Sequence, residues 1–291
     1  MSIVTFWNDD KEQTGKTLGA VAVATKMAIE RNFKILLIST GFQDPTIKNC
    51  YFPEITKKKN SFLGGMLKNN NIAVESGIEG LSKLIKANKI QPTIITDYTR
   101  VVFKERLEVL TSYVGAPDKS DEDNYSDYLK TTECYPELIR LANQYYDMVL
   151  VDIDNRLDKN IKKEINDLAN INVLVLSQRL TAIDKYNELK QKDNSILGPK
   201  TLITIGKYNQ RSKYTKKNIM RYIDEKKNIN LIPYNTLFFE AAEEYSVPDF
   251  FLKLRDIKDT NDANYFFMSE VLGLTNNIIT RIQELQMKTR W

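Results

Sequence analysis

The sequence predicts an α/β domain: a doubly wound, mostly parallel twisted sheet with helices on both faces. Three observations carry that expectation. The chain opens with a β-branched and aromatic run, Ile3-Val4-Thr5-Phe6-Trp7. A loop and an alanine-rich segment to Arg31 follow, in which Leu18, Val21, Ala22, Thr25, Ala28 and Ile29 recur at helical spacing. Two further runs, Lys34 to Ser39 and Tyr146 to Asp152, are apolar without alternation, as strands covered on both faces should be. The second half then repeats strand and helix: strands at Ile171 to Ser177 and Thr201 to Ile205, helices at Thr181 to Gln191 and Thr215 to Lys226, and a last strand within Ile229 to Asn235.

Between these landmarks the pattern is looser. Lys57-Lys58-Lys59 reads as a solvated loop run, helical spacing returns from Val74 to Ala87, and Arg106 to Thr111 reads as a strand. Asp118 to Asn124 is acidic and polar, so an exposed acidic loop is expected near 117–128. A helix is expected from Tyr135 to Tyr145, and a C-terminal helix near 263–288 with Phe266, Phe267, Val271, Leu274, Ile278, Ile282 and Leu285 along one side. The whole, 1–291, reads as a single domain, a length at which one large α/β core is ordinary.

Composition narrows the chemistry. Hydrophobic residues at 42% and charged residues at 27% describe a globular chain. No apolar stretch has the length of a membrane span, and Ile3 to Trp7 is too short for a signal peptide and lacks its basic lead, so a cytoplasmic protein is expected. Cys50 and Cys134 have no metal spacing and read as ordinary thiols. The absence of histidine excludes Ser-His-Asp hydrolysis, Cys-His proteolysis and histidine-ligated metals. Charge chemistry must then run on carboxylates, lysines and a bound ion.

The loop from Asn8 to Thr17 fits that chemistry. Backbone N–H groups at the start of a helix converge on one spot with the positive end of the helix dipole behind them, a natural seat for phosphate. Gly15 lets the backbone approach closely, Lys16 would reach the β- and γ-phosphates, and the Thr17 hydroxyl would take a place on Mg²⁺. The usual spacing is G-x-x-x-x-G-K-[ST], and its first glycine is Asp10 here.

Lys11 stands five residues before Lys16, and K-x-x-x-G-K-T resembles the deviant Walker A motif of the ParA/MinD family of P-loop ATPases. The resemblance implies that ATP and Mg²⁺ are the ligands, that Gln13, Thr14, Gly15, Lys16, Thr17 and Leu18 contact the nucleotide, and that Lys11 crosses a homodimer interface to the partner's nucleotide. Otherwise Lys11 is a solvated loop lysine. The family's two loop glycines are Glu12 and Gln13 here, which places a carboxylate beside phosphate. In the family the second strand ends in aspartates that position Mg²⁺ and water. Here it ends Ser39-Thr40-Gly41-Phe42-Gln43-Asp44-Pro45, leaving Asp44 as catalytic candidate or as a turn residue before proline.

Tyr146-Asp147-Met148-Val149-Leu150-Val151-Asp152 resembles the family's Walker B strand, which makes Asp152 a metal residue beside Thr17, or else a strand-end cap. Asp154 could supply the carboxylate that the second strand lacks. Leu231-Ile232-Pro233-Tyr234-Asn235 resembles the family's base loop, with Pro233 and Tyr234 against the base, and Lys207 stands in a pair whose usual asparagine is Gly206 here.

These features point to an ATP-binding, dimerising positioning switch with slow or weak hydrolysis. The stretch from Gly77-Ile78-Glu79-Gly80-Leu81 through Leu107-Glu108-Val109-Leu110 resembles the CpaE/TadZ relatives, which implies a pilus or secretion machinery protein as partner and recruitment to a cell pole or the inner face of the membrane. The alternative is a ParA-like partition ATPase, in which Lys207, Arg211, Lys213, Lys216, Lys217 and Arg221 hold DNA without sequence preference rather than forming a solvated helix face. A nucleotide-dead scaffold is a third reading. Membrane contact is expected to be at most indirect, although Lys288, Arg290 and Trp291 could end a MinD-like membrane helix.

Overall fold

The computed structural model describes residues 1–8, 13–53, 77–192, 198–225 and 229–288. Lys11, Lys57 to Lys59, Arg290 and Trp291 lie outside them. β1 (Ser2–Trp7) precedes α1 (Lys16–Glu30), followed by β2 (Ile35–Ser39) and α2 (Thr46–Tyr51). After α3 (Ile78–Lys86) and a 3-10 turn (Pro92–Tyr98) come β3 (Arg100–Phe103) and β4 (Leu107–Leu110). Next are α4 (Asp121–Thr132), α5 (Tyr135–Ala142), β5 (Met148–Asp152), α6 (Lys159–Leu168), β6 (Ile171–Ser177) and α7 (Leu180–Lys192). The chain ends with β7 (Thr201–Tyr208), α8 (Lys216–Tyr222), β8 (Asn230–Pro233), α9 (Thr236–Glu243), α10 (Val247–Lys253) and α11 (Ala263–Lys288).

The strands form one sheet in the order β3-β4-β2-β5-β1-β6-β7-β8. Each neighbouring pair is parallel except β3 with β4, the antiparallel edge. Every residue of β1, β2 and β5 is buried, which is why these three read as unbroken apolar runs. Their register brings three strand ends together: Asp152 of β5 lies between Phe6 of β1 and Ser39 of β2. α1, α2, α9, α10 and α11 cover one face, and α3 to α8 cover the other.

α11 has the expected bounds, and its apolar stripe is consumed in the first of these layers: Phe267, Val271, Leu274, Ile278 and Ile282 are buried. As the helix sits, those side chains are not available to a lipid surface. α9 and α10, unread in the sequence, are held by a phenylalanine cluster in which the rings of Phe238 and Phe267 stand 4.8 Å apart.

The expected acidic loop at 117–128 is corrected. From Asp121 onward it is the first part of α4, because the Ser120 hydroxyl accepts the Asp123 N–H as an N-cap and three acidic residues fill the first turn, where the helix dipole favours them. α4 buries Asn124, Tyr128, Thr131 and Thr132 along one side, and the Tyr128 hydroxyl donates to the Thr40 carbonyl at 2.8 Å. The helix expected to Lys226 is also shorter and ends at Tyr222.

Candidate functional site

β1 aims the chain at the start of α1, and Gly15 makes the turn in the left-handed region, at φ 81° and ψ 17°. Among the described residues, the first turn of α1 carries no acidic side chain and its N-cap supplies no side-chain hydrogen bond, so the positive end of the helix dipole lies at this turn. Lys16 Nζ donates to the Ile153 carbonyl and lies 3.6 Å from Asp152 Oδ1. The Thr17 hydroxyl donates to Asp152 Oδ2 at 2.9 Å. Asp152 is 4% exposed, and burial pushes its carboxyl pKa up against the opposing pull of Lys16 and Thr17. Its Oδ1 is buried with no hydrogen-bond partner among the described residues. A buried carboxylate oxygen short of a donor, next to a hydroxyl, is the donor set a hard divalent cation takes. The amides and Lys16 suit phosphate.

β7 braces this loop from the other side. Its pairing with β8 shifts register between Ile205 and Tyr208, and Lys207 inside that bulge has φ 48°. A Cβ on Gly206 would stand 2.1 Å from the Thr14 carbonyl oxygen and 3.0 Å from Val175 Cγ1, so only glycine lets β7 meet the loop. The Lys207 stem runs past Gly15, its Cγ 2.9 Å from where a Gly15 Cβ would be.

The end of β2 lies over Asp152. Thr40 donates to the Asp152 carbonyl through both its N–H and its hydroxyl, and that hydroxyl accepts the Asp154 N–H at 2.8 Å. Asp44 Oδ1 accepts the Thr46 N–H and hydroxyl at 2.9 and 2.6 Å, so Asp44 sits as a turn residue at the start of α2, close enough to raise the Asp152 pKa further. Asp154 is engaged on both oxygens by Arg156, whose Nη2 also donates to the Phe42 carbonyl. Burial alone would raise the Asp154 pKa, but the Arg156 hydrogen bonds and charge bring it below the usual carboxylate range.

No family model matches the chain, and no curated protein matches it in sequence. Solved structures do match in shape. A ParA family ATPase from Chlorobium tepidum superposes with a TM-score of 0.65 at 13% identity, covering 94% of this chain and 98% of that one. The cell division ATPase MinD of Pyrococcus furiosus gives 0.62 at 12% identity, covering 98% and 99%. The chain has the ParA/MinD fold. The septum site-determining protein MinD of Pyrococcus horikoshii, in complex with Mg-ADP, gives 0.60 at 13% identity with 95% of each chain covered. Identity at this level speaks for the shared fold alone.

Within this ParA/MinD fold the expected residues divide. Thr14, Gly15, Lys16, Thr17, Asp152 and Lys207 are brought together. Thr14 is buried with its hydroxyl lacking a partner among the described residues, Gln13 is exposed, and Leu18 is half-buried. Pro233 is buried as the last residue of β8, and Tyr234, 57% exposed, donates its N–H to the Tyr208 carbonyl, so the two stand beside the β7 bulge. Asn235 is an N-cap: its side chain accepts the Phe238 N–H. Sequence reasoning missed Thr40 and Arg156, and it took Gly206 only as a lost asparagine. The signal for Gly206 was a glycine inside a strand, which marks a bulge or a close backbone approach.

Proposed function

We propose that the chain is an ATP-binding, dimerising positioning switch of the ParA/MinD kind. The observation that carries this reading is the buried Asp152 carboxylate, one oxygen taken by Thr17 and the other left without a donor 3.6 Å from Lys16. Lys16, Gly15, Thr14, Gln13, Leu18 and the first-turn amides of α1 would hold the phosphates, Thr17 and Asp152 the Mg²⁺, and Lys207, Pro233 and Tyr234 the base side. The bound ion would neutralise phosphate charge, while Lys16, its side chain 10% exposed, contributes a fixed positive charge. Lys11 is assigned to the nucleotide of a second subunit. The Mg-ADP in the Pyrococcus horikoshii structure supports the choice of ligand.

Hydrolysis is slow in this reading. Asp44 Oδ1 is committed to Thr46 and Asp154 to Arg156, so neither is poised to orient water. A nucleotide-dead scaffold is disfavoured because Lys16, Thr17 and Asp152 keep their mutual geometry.

The cargo is assigned to a pilus or secretion assembly of the CpaE/TadZ type, on the strength of the Gly77 to Leu81 and Leu107 to Leu110 segments. Partition on DNA is the second reading, favoured by the exposed Lys207, Arg211, Lys213, Lys217 and Arg221 on β7, α8 and the loop between them. No helix among the described residues is long and apolar enough to cross a membrane. Light scattering tests the switch: the mass is expected to double with Mg²⁺-ATP and to stay monomeric in Lys11→Ala. Equal mass with and without nucleotide would overturn the switch.

A further inference from the structure

At the carboxyl end of β4, residues of α3, of the turn after β4 and of α4 line a groove of about 660 Å³ that the nucleotide reading does not use. Lys83 and Lys86 line it from α3, Lys119 from the turn before α4, and Lys130 from α4 itself. All four are exposed, and they come from three separate elements, so the positive charge belongs to the groove rather than to one helix face. Among the described residues, two carboxylates line it, Glu79 and Asp127, and both have partners. Glu79 Oε1 accepts the Val114 and Gly115 amides at 2.7 and 3.1 Å, and Asp127 is paired with Lys119 and with Lys130 at 3.2 Å.

We propose that this groove docks an acidic peptide segment of a partner protein. Charge complementarity selects carboxylates. A compact phosphate is not favoured because the turn amides that could cradle it are taken: Val114 and Gly115 by Glu79, and Ala116 by Asn124. A concave cleft with Asp127 between two of its lysines also does not follow a duplex backbone. Long flexible lysine stems around a rim suit carboxylates spaced along a peptide.

The groove floor is tied to the loop over Asp152. Tyr113 N–H donates to Gly41, Gln43 N–H donates to Tyr113, and the Ser112 hydroxyl donates to the Asp44 carbonyl. The Tyr113 ring stacks on Phe42 with centroids 6.0 Å apart. A docked segment would thus stiffen the 40–44 loop. Docking itself does not depend on the nucleotide reading, so the test uses the full chain without nucleotide.

The probe is fluorescein-labelled deca-glutamate followed by fluorescence anisotropy in low salt. Binding is expected to weaken about tenfold or more in Lys86→Glu/Lys130→Glu, to weaken less but in the same direction in Lys86→Ala/Lys130→Ala, and to stay within twofold in Lys213→Glu/Lys217→Glu. Slower hydrogen exchange at the Gln43 and Tyr113 amides on binding would support the tie to the loop, and unchanged exchange would overturn that tie. Absence of binding, equal loss in the Lys213/Lys217 variant, or a labelled DNA duplex that binds through Lys86 and Lys130 would each overturn the docking assignment.

Discussion

Asp152 and Asp154 leave the end of β5 two residues apart and meet opposite surroundings. Asp152 is buried, its carboxyl pushed towards protonation, with one oxygen short of a donor. Asp154 has both oxygens filled by Arg156, which holds its carboxylate ionised. The contrast separates two uses of the same side chain. A buried carboxylate with an unmet oxygen, facing a lysine and a hydroxyl, costs stability unless a ligand offsets the desolvation. A carboxylate with a closed set of partners holds a loop in place.

The sharpest way to break this contrast is to neutralise each aspartate in turn. Asp152→Asn is expected to lower Mg²⁺-dependent nucleotide affinity about a hundredfold, read by titration of a fluorescent ATP with and without EDTA, while Asp154→Asn changes it less than threefold. Equal losses would show that the two carboxylates serve one site.

Gly206→Ala comes next. The added methyl meets the Thr14 carbonyl, a backbone atom that cannot swing aside. The loop or β7 must shift, at about 1–3 kcal/mol, with an affinity loss of about tenfold. Calorimetric melting and nucleotide titration of one preparation measure both, and an unchanged melting temperature would deny the contact. The smallest effect is expected for Arg156→Ala. Its guanidinium is half exposed, so losing the Asp154 pair and the Phe42 hydrogen bond costs about 1 kcal/mol, or roughly 2–4 °C in Tm. Nucleotide affinity should be unchanged. A fall matching that of Asp152→Asn would move Arg156 into the site.

Much of the fold was legible because buried parallel strands leave unbroken apolar runs. β1, β2, β5 and β6 were readable for that reason, and α11 through its apolar stripe. α4 was not read, although its signal was present: Ser120 with Asp123 three residues on, then Asn124, Tyr128, Thr131 and Thr132 at helical spacing. The density of acidic residues masked a polar helix whose buried side is made of Asn, Tyr and Thr. α2, α9 and α10 are short, at six to eight residues, and are held by tertiary packing rather than by periodicity. Within the candidate site, the proximity of Lys16 and Thr17 to Asp152 was legible because a loop-helix start and a strand-end aspartate follow from the sequence pattern. The bond from Arg156 to the Phe42 carbonyl and the Gly206 contact with Thr14 were not, since both join residues far apart in the chain. The registers of β5 against β2 and of β7 against the loop exist only after folding.

Lys16, Thr17 and Asp152 are proposed to form a working nucleotide site. Calorimetric titration of Mg²⁺-ATP into the purified protein, with Lys16→Ala alongside, tests it most directly. Saturable binding by the wild type, weakened at least about a hundredfold in Lys16→Ala through loss of charge-assisted hydrogen bonds to phosphate, is the expected result. No binding at millimolar nucleotide, or equal binding by both proteins, would contradict it.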